Sequence, residues 1–214
     1  MTRKHVCESG GGGSGRSCDH DRKPVRVTRR HVCAGIAAGA ATALAGCSNG
    51  GDSDAAPTGD VPAAVTLTTD DACEICGMII PNHPGPTTEI FYPQHTPSGH
   101  ENPARFDSTW EAFQYDFDRD WERTVMYVTD YSAVDYDLFE EGGDTLISTH
   151  PQADSFVDAA SVTFVAGSEV KGAMGRDLIA FSERGDAESL QSEYGGELVG
   201  VDGVTPELIA QLGM

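Results

Sequence analysis

Positive charge is scarce in this chain: Lys and Arg number 14 against 34 Asp and Glu, a formal net charge of −20. Such a surface repels phosphate backbones, which excludes a nucleic-acid partner. Aromatic residues make up 7% of a chain that is 39% hydrophobic. Its small apolar run from Val32 to Ala45 falls short of the ~20 residues that a spanning helix needs. The composition therefore reads as soluble and globular rather than as an integral membrane protein. No Ser/His/Asp arrangement and no phosphate-binding Gly loop stands out, so nothing points to a catalytic acid, base or nucleophile. The 214 residues suffice for one domain or two small ones with a real core, without staples.

The charge is unevenly spread. Eight basic residues precede Cys47 (Arg3, Lys4, Arg16, Arg22, Lys23, Arg26, Arg29 and Arg30) against three acidic ones, leaving 6 basic and 31 acidic residues after it. Self-repulsion on that scale is screened when the Debye length falls to about 3 Å at molar salt. A salt-adapted, halophilic protein is expected. At the front, Arg29-Arg30 precedes the apolar run and Leu44-Ala45-Gly46-Cys47 ends it, which is the order of a twin-arginine signal closed by a lipobox. Cys47 is then the lipidated first residue of the mature protein, held on the extracytoplasmic face of the membrane.

Residues 1–46 are thus read as leader and signal, and the Gly, Ser, Asp, Ala and Pro-rich stretch over 47–64 as a flexible tether. Of six cysteines, only Cys73 and Cys76 remain for the folded part. A disulfide between positions so close constrains almost no chain, so the pair is there for chemistry.

Folded structure is expected from about Val65. Glu89 to Tyr92 and Thr124 to Thr129 read as strands around a helix over Ser108 to Phe117, capped by Asp107 or Ser108. Ser161 to Ala166, Leu178 to Phe181 and Leu198 to Val201 read as strands, with a helix over Asp186 to Tyr194 stopped by Gly195-Gly196. Phe106-Asp107-Ser108 and Phe181-Ser182-Glu183 each lead from an apolar position into a helix, a weak repeat. The expectation is α+β: a first sheet-and-helix unit over 65–140, an irregular connection over 141–160 carrying Pro151, and a second unit over 161–214.

The segment from Asp70 to Pro86 carries two thiols and a thioether at Cys73, Cys76 and Met78, with an imidazole at His83. Thiolate and thioether donors select Cu(I) over harder ions. Gly77 allows the backbone to fold so that Cys76 and Met78 face one ion. Three other readings stand beside this one. A zinc knuckle needs a second ligand pair, and the domain has no further cysteine. A thiol-disulfide oxidoreductase wants its first cysteine at a helix N-terminus, which Met78-Ile79-Ile80-Pro81 does not favour. A Cys/Met cluster can also simply pack.

These residues resemble the NosL-type copper chaperones, the accessory lipoproteins of nitrous oxide reductase in denitrification. The likeness rests on Cys-x-x-Cys-Gly-Met, Pro84-Gly85-Pro86, Arg105-Phe106-Asp107, Val165-Ala166-Gly167-Ser168, Ala173-Met174-Gly175, Ile179-Ala180-Phe181 and Tyr194-Gly195-Gly196-Glu197. It implies two ββαβ units, no enzymatic activity, and Cu(I) held by Cys76 and Met78. Cys73, His83 and Met174 are the further candidate ligands it suggests. The implied partner is a copper-accepting enzyme, nitrous oxide reductase or its assembly proteins. The insertion from Pro93 to Pro103, with His95 and His100, departs from the family pattern. An organomercurial lyase and a lipid-anchored binding or scaffold protein are the other classes to set against the carrier.

Overall fold

The computed structural model describes residues 61–97 and 99–213. The readings of the leader, of Arg29, Arg30 and Cys47, and of most of the tether lie outside the described residues. Leu67 is the first buried residue of the described chain, and its N–H donates to the Pro151 carbonyl at 2.8 Å.

The first half runs β1 (Thr88–Phe91), β2 (Ala104–Phe106), α1 (Thr109–Phe117) and β3 (Val125–Thr129). All four residues of β1 are buried, as in a central strand covered on both faces. It pairs antiparallel with β2 on one side, Glu89 opposite Arg105, and with β3 on the other, Glu89 opposite Tyr127. Ser108 starts α1 from an extended conformation, its hydroxyl accepting from the Glu111 N–H and satisfying one of the free donors of the first turn.

Next come β4 (Leu138–Glu141), β5 (Asp144–Ile147) and β6 (Phe156–Asp158), and then β7 (Thr163–Gly172), β8 (Gly175–Phe181), α2 (Arg184–Tyr194) and β9 (Glu197–Val199). A final helix, α3 (Pro206–Leu212), is capped by Thr205 and opens on Pro206. The first sheet has the order β2-β1-β3-β6; the second has β4-β5-β7-β8, with β9 also on β7. Both halves therefore run strand, strand, helix, strand, with the first strand of each central and antiparallel to the other two. The class is α+β, as expected.

Alternation along β7 and β8 builds two cores. Phe164, Ala166, Leu178 and Ala180 point into the larger one with Ile80, Ile90, Phe106 and Phe113; Val165, Ile179 and Phe181 point into the other with Tyr131, Ile147 and Leu190. Phe113 of α1 meets Phe164 edge-on at 5.8 Å, so α1 packs against both halves of the molecule. Fully burying such a side chain contributes about 2–3 kcal/mol.

The connection over 141–160 is not irregular. Gly142-Gly143 is the turn of a hairpin in which Glu141 pairs with Asp144, and the 156–158 stretch completes the first sheet. A Gly-Gly pair breaks regular structure and also forms two-residue hairpin turns, and here the second property applies. The strand expected to end at Ala166 runs on to Gly172, because a register shift between Ala166 and Lys171 bends β7 from its β9 pairing into a parallel pairing with β5.

Candidate metal centre

Residues 71–80 fold back on themselves as a small hairpin. Ala72 bridges Ile79, the Cys73 N–H donates to the Met78 carbonyl at 2.9 Å, and the Ile80 N–H to the Asp71 carbonyl at 3.0 Å. The turn closes where the Gly77 N–H donates to the Cys73 carbonyl at 3.0 Å. Gly77 has φ +73 with open space around it, so the backbone conformation rather than crowding calls for glycine. The Glu74 N–H donates to the Arg105 carbonyl at 3.0 Å, which fixes this hairpin beside β2 and hence beside the start of α1.

That juxtaposition brings four donors together. The Cys73 thiol donates to Glu111 Oε2 at 3.0 Å, and the Cys76 thiol lies 3.5 and 3.7 Å from the two oxygens of Asp107. One ligand atom from each of Cys73, Cys76, Asp107 and Glu111 lies within 4.8 Å of the others. Cys73, Asp107 and Glu111 are buried while Cys76 is half-exposed, so the group opens to solvent on the Cys76 side. Both cysteines are free.

The electrostatics hold protons in this group. Burial, reinforced by the bond to Glu111, pushes the Cys73 thiol well above its ordinary range, and burial also raises Cys76. Glu111 is raised in turn by its own burial. Each carboxylate faces a thiol and is placed to take the proton that the thiol gives up to a cation. The neighbouring side-chain pairs, Arg105 with Asp71 and His100 with Glu74, include neither Asp107 nor Glu111.

The expected ligands divide. Cys73 and Cys76 are brought together. Met78 is half-buried, and its carbonyl serves the hairpin. His83 is half-buried after the turn Ile80–Asn82 and is not among the four grouped donors. Met174, 41% exposed, sits at the β7–β8 turn. That turn is fastened to the segment after His83, because the Ala173 N–H donates to the Pro84 carbonyl at 2.7 Å and Gly85 lies against Gly172. In the insertion, His95 stacks on Trp121 with ring centroids 4.3 Å apart, while His100 pairs with Glu74, next to Cys73. Asp107 and Glu111 were not anticipated as donors. Their signal was the Asp107-Ser108-x-x-Glu111 spacing, which sets two carboxylates four apart at a helix start.

Fold and site together define an α+β domain built around a preformed cluster of two thiols and two carboxylates. A family model described as NosL matches residues 64–209, and the chain belongs to the NosL family. A copper-binding lipoprotein NosL of Stutzerimonas stutzeri is 26% identical over 141 residues, 66% of this chain. The alignment spans 65% of that relative's own length, just under two thirds. The crystal structure of the copper chaperone NosL from Shewanella denitrificans superimposes with a TM-score of 0.55 at 29% identity, covering 67% of this chain and 96% of that one.

Proposed function

We propose that this chain is a non-enzymatic copper carrier that binds Cu(I) through Cys73 and Cys76, with Asp107 and Glu111 completing the site. The observation that carries the reading is the convergence of two free thiols and two carboxylates within 4.8 Å, open on the Cys76 side. Thiolates suit Cu(I), and the carboxylates accept the displaced thiol protons. Cys76, at the accessible edge, is the donor that first displaces a ligand of the copper source on loading and the first that a recipient's ligand displaces on delivery, so copper moves by ligand exchange. Raised thiol pKa values oppose the oxidoreductase reading, which needs a readily formed thiolate nucleophile. Met78, His83 and Met174 remain as further donors that a partner-bound or loaded state would recruit.

The Arg29-Arg30 and Leu44-Ala45-Gly46-Cys47 motifs support export and lipid anchoring on the extracytoplasmic face. Nitrous oxide reductase, or its assembly machinery, is the proposed recipient. Anaerobic titration of the reduced protein with Cu(I), in competition with a chromogenic chelator, tests the binding. One tightly held Cu(I) per chain is expected, and no retention against the chelator would remove the reading.

A second reading has its own observation. Two thiols and two carboxylates are also a four-donor set for a divalent ion such as Zn(II), which accepts sulfur and oxygen alike. Preference for Zn(II) over Cu(I) in a direct competition would select it.

A further inference from the structure

The first turn of α1 presents the Asp107 and Glu111 carboxylates to the thiols, yet part of what holds that turn comes from the other half of the molecule. Asp177, on β8, is buried. Its Oδ1 accepts from the Trp110 N–H and from its neighbour Leu178, each at 2.8 Å, and the Ser108 side chain lies beside it. Its Oδ2 is buried without a partner. A Cβ on Gly172 would stand 3.2 Å from that oxygen and 3.2 Å from both Gly85 and Pro86. Asp177 therefore lies where α1, the β7–β8 turn and the segment following the thiol hairpin meet.

Ser108 and Glu111 have the spacing of a capping box, in which the glutamate folds back onto the N-cap backbone. Here Glu111 turns outward to Cys73 instead. Asp177 takes one of the free N–H groups of that helix start.

We propose that Asp177 is a positioning residue for the metal centre: by fixing the start of α1 from β8, through the Trp110 N–H and beside the Ser108 side chain, it holds Glu111 aimed at Cys73. The inference rests on the reading of Glu111 as part of the copper site. Loss of Asp177 frees the start of α1 from β8, so Glu111 is no longer held against Cys73 and the centre loses one of its four groups although no ligand has been changed.

A double-mutant cycle on the full reduced chain, read by Cu(I) competition titration, tests this. Asp177→Leu keeps the branching of the side chain at a larger volume and removes the acceptors. It is expected to lower Cu(I) affinity about tenfold in the parent, within the usual range for groups that orient ligands. In a Glu111→Gln background the same change is expected to have no further effect, since the group it acts through is already gone. Asp177→Asn keeps the acceptor at Oδ1 and restores affinity. Should Asp177→Leu fail to fold, Asp177→Ser, whose hydroxyl is too short to reach Trp110, takes its place in the cycle. Equal losses in both backgrounds would show a merely structural role and overturn the proposal, as would no loss in the parent. If Glu111→Gln alone leaves affinity unchanged, the placement of Glu111 in the copper site fails first. If Glu111→Gln weakens binding and Asp177→Leu does not, only the positioning role is lost.

Discussion

Cys73 and Glu111 are 38 positions apart in sequence and meet through a buried 3.0 Å hydrogen bond from thiol to carboxylate. Burial and the adjacent carboxylate both oppose a thiolate at Cys73, so a bound cation favours its ionisation. Glu111 is the nearest acceptor for the proton released on loading. Glu111→Gln cannot take that proton and should lower Cu(I) affinity about tenfold. Asp107→Asn, facing the more exposed Cys76, should cost less. Chelator competition with each purified variant measures both, and the reverse order would place the proton acceptor at Asp107.

The cysteines themselves give the most direct test. Cys76→Ser and Cys73→Ser each replace a soft thiolate by a weakly coordinating hydroxyl, and both should largely abolish Cu(I) retention since both sulfurs face the same centre. Met78→Leu keeps the volume and removes the thioether, so it reports whether sulfur at that position joins the loaded site. Oxidation to a disulfide should abolish loading and reduction restore it, because a disulfide offers no thiolate. An oxidised protein that holds Cu(I) as tightly as the reduced one would exclude the thiol site.

How far the sequence reveals this site depends on the range of the interactions. Cys73, Cys76 and Gly77 are neighbours in one hairpin, and the helix with its Ser108 cap follows from local capping chemistry. Asp107 and Glu111 have the same local spacing as any helix start. Their role arises when β2 lays that start beside the hairpin, a contact that no local pattern encodes. The β4–β5 hairpin escaped because its strands are half-exposed and weakly alternating. Asp177 lies one position before the stretch Leu178 to Phe181 that reads as strand, and no local pattern marks it.

Two buried carboxylates away from the thiols predict a pH dependence. Burial pushes Glu89 and Asp177 up to about 7, against ordinary values of 4.5 and 3.8. A carboxyl raised on folding binds its proton more tightly in the folded state. Its stabilising contribution is complete below the unfolded value and is lost as pH rises through the folded one. The metal-free protein should therefore melt at progressively lower temperature from about pH 4 to pH 8. Glu89→Gln with Asp177→Asn should flatten that slope, as differential scanning fluorimetry in molar salt would show. An unchanged slope in the double variant would assign the pH dependence to other groups.

Molar salt serves there as a control, but salt is also a prediction in its own right. With 31 acidic and 6 basic residues from Cys47 onward, surface repulsion should destabilise the domain in dilute buffer. Melting temperature should rise between about 0.1 M and 3 M salt, where the Debye length contracts from about 10 Å to below 3 Å. Circular dichroism melts that coincide at the two concentrations would argue against salt adaptation.

Gly77 and Gly85 both have positive φ, at +73 and +123, but they answer to different constraints, and substitution separates them. Around Gly77 there is open space, so Gly77→Ala meets only the cost of a left-handed conformation, about 1–2 kcal/mol. At Gly85 a Cβ would stand 2.7 Å from the Gly172 backbone, closer than two carbons can approach. Gly85→Ala must therefore push the β7–β8 turn away from Pro84, breaking the Ala173 to Pro84 hydrogen bond and displacing Met174. The strain and the lost contact together should cost about 2–4 kcal/mol, more than at Gly77. Chemical denaturation of the two variants tests the ranking. Equal losses would mean that the approach of Gly85 to Gly172 carries no energetic weight, and that the β7–β8 turn holds its place without the segment that follows His83.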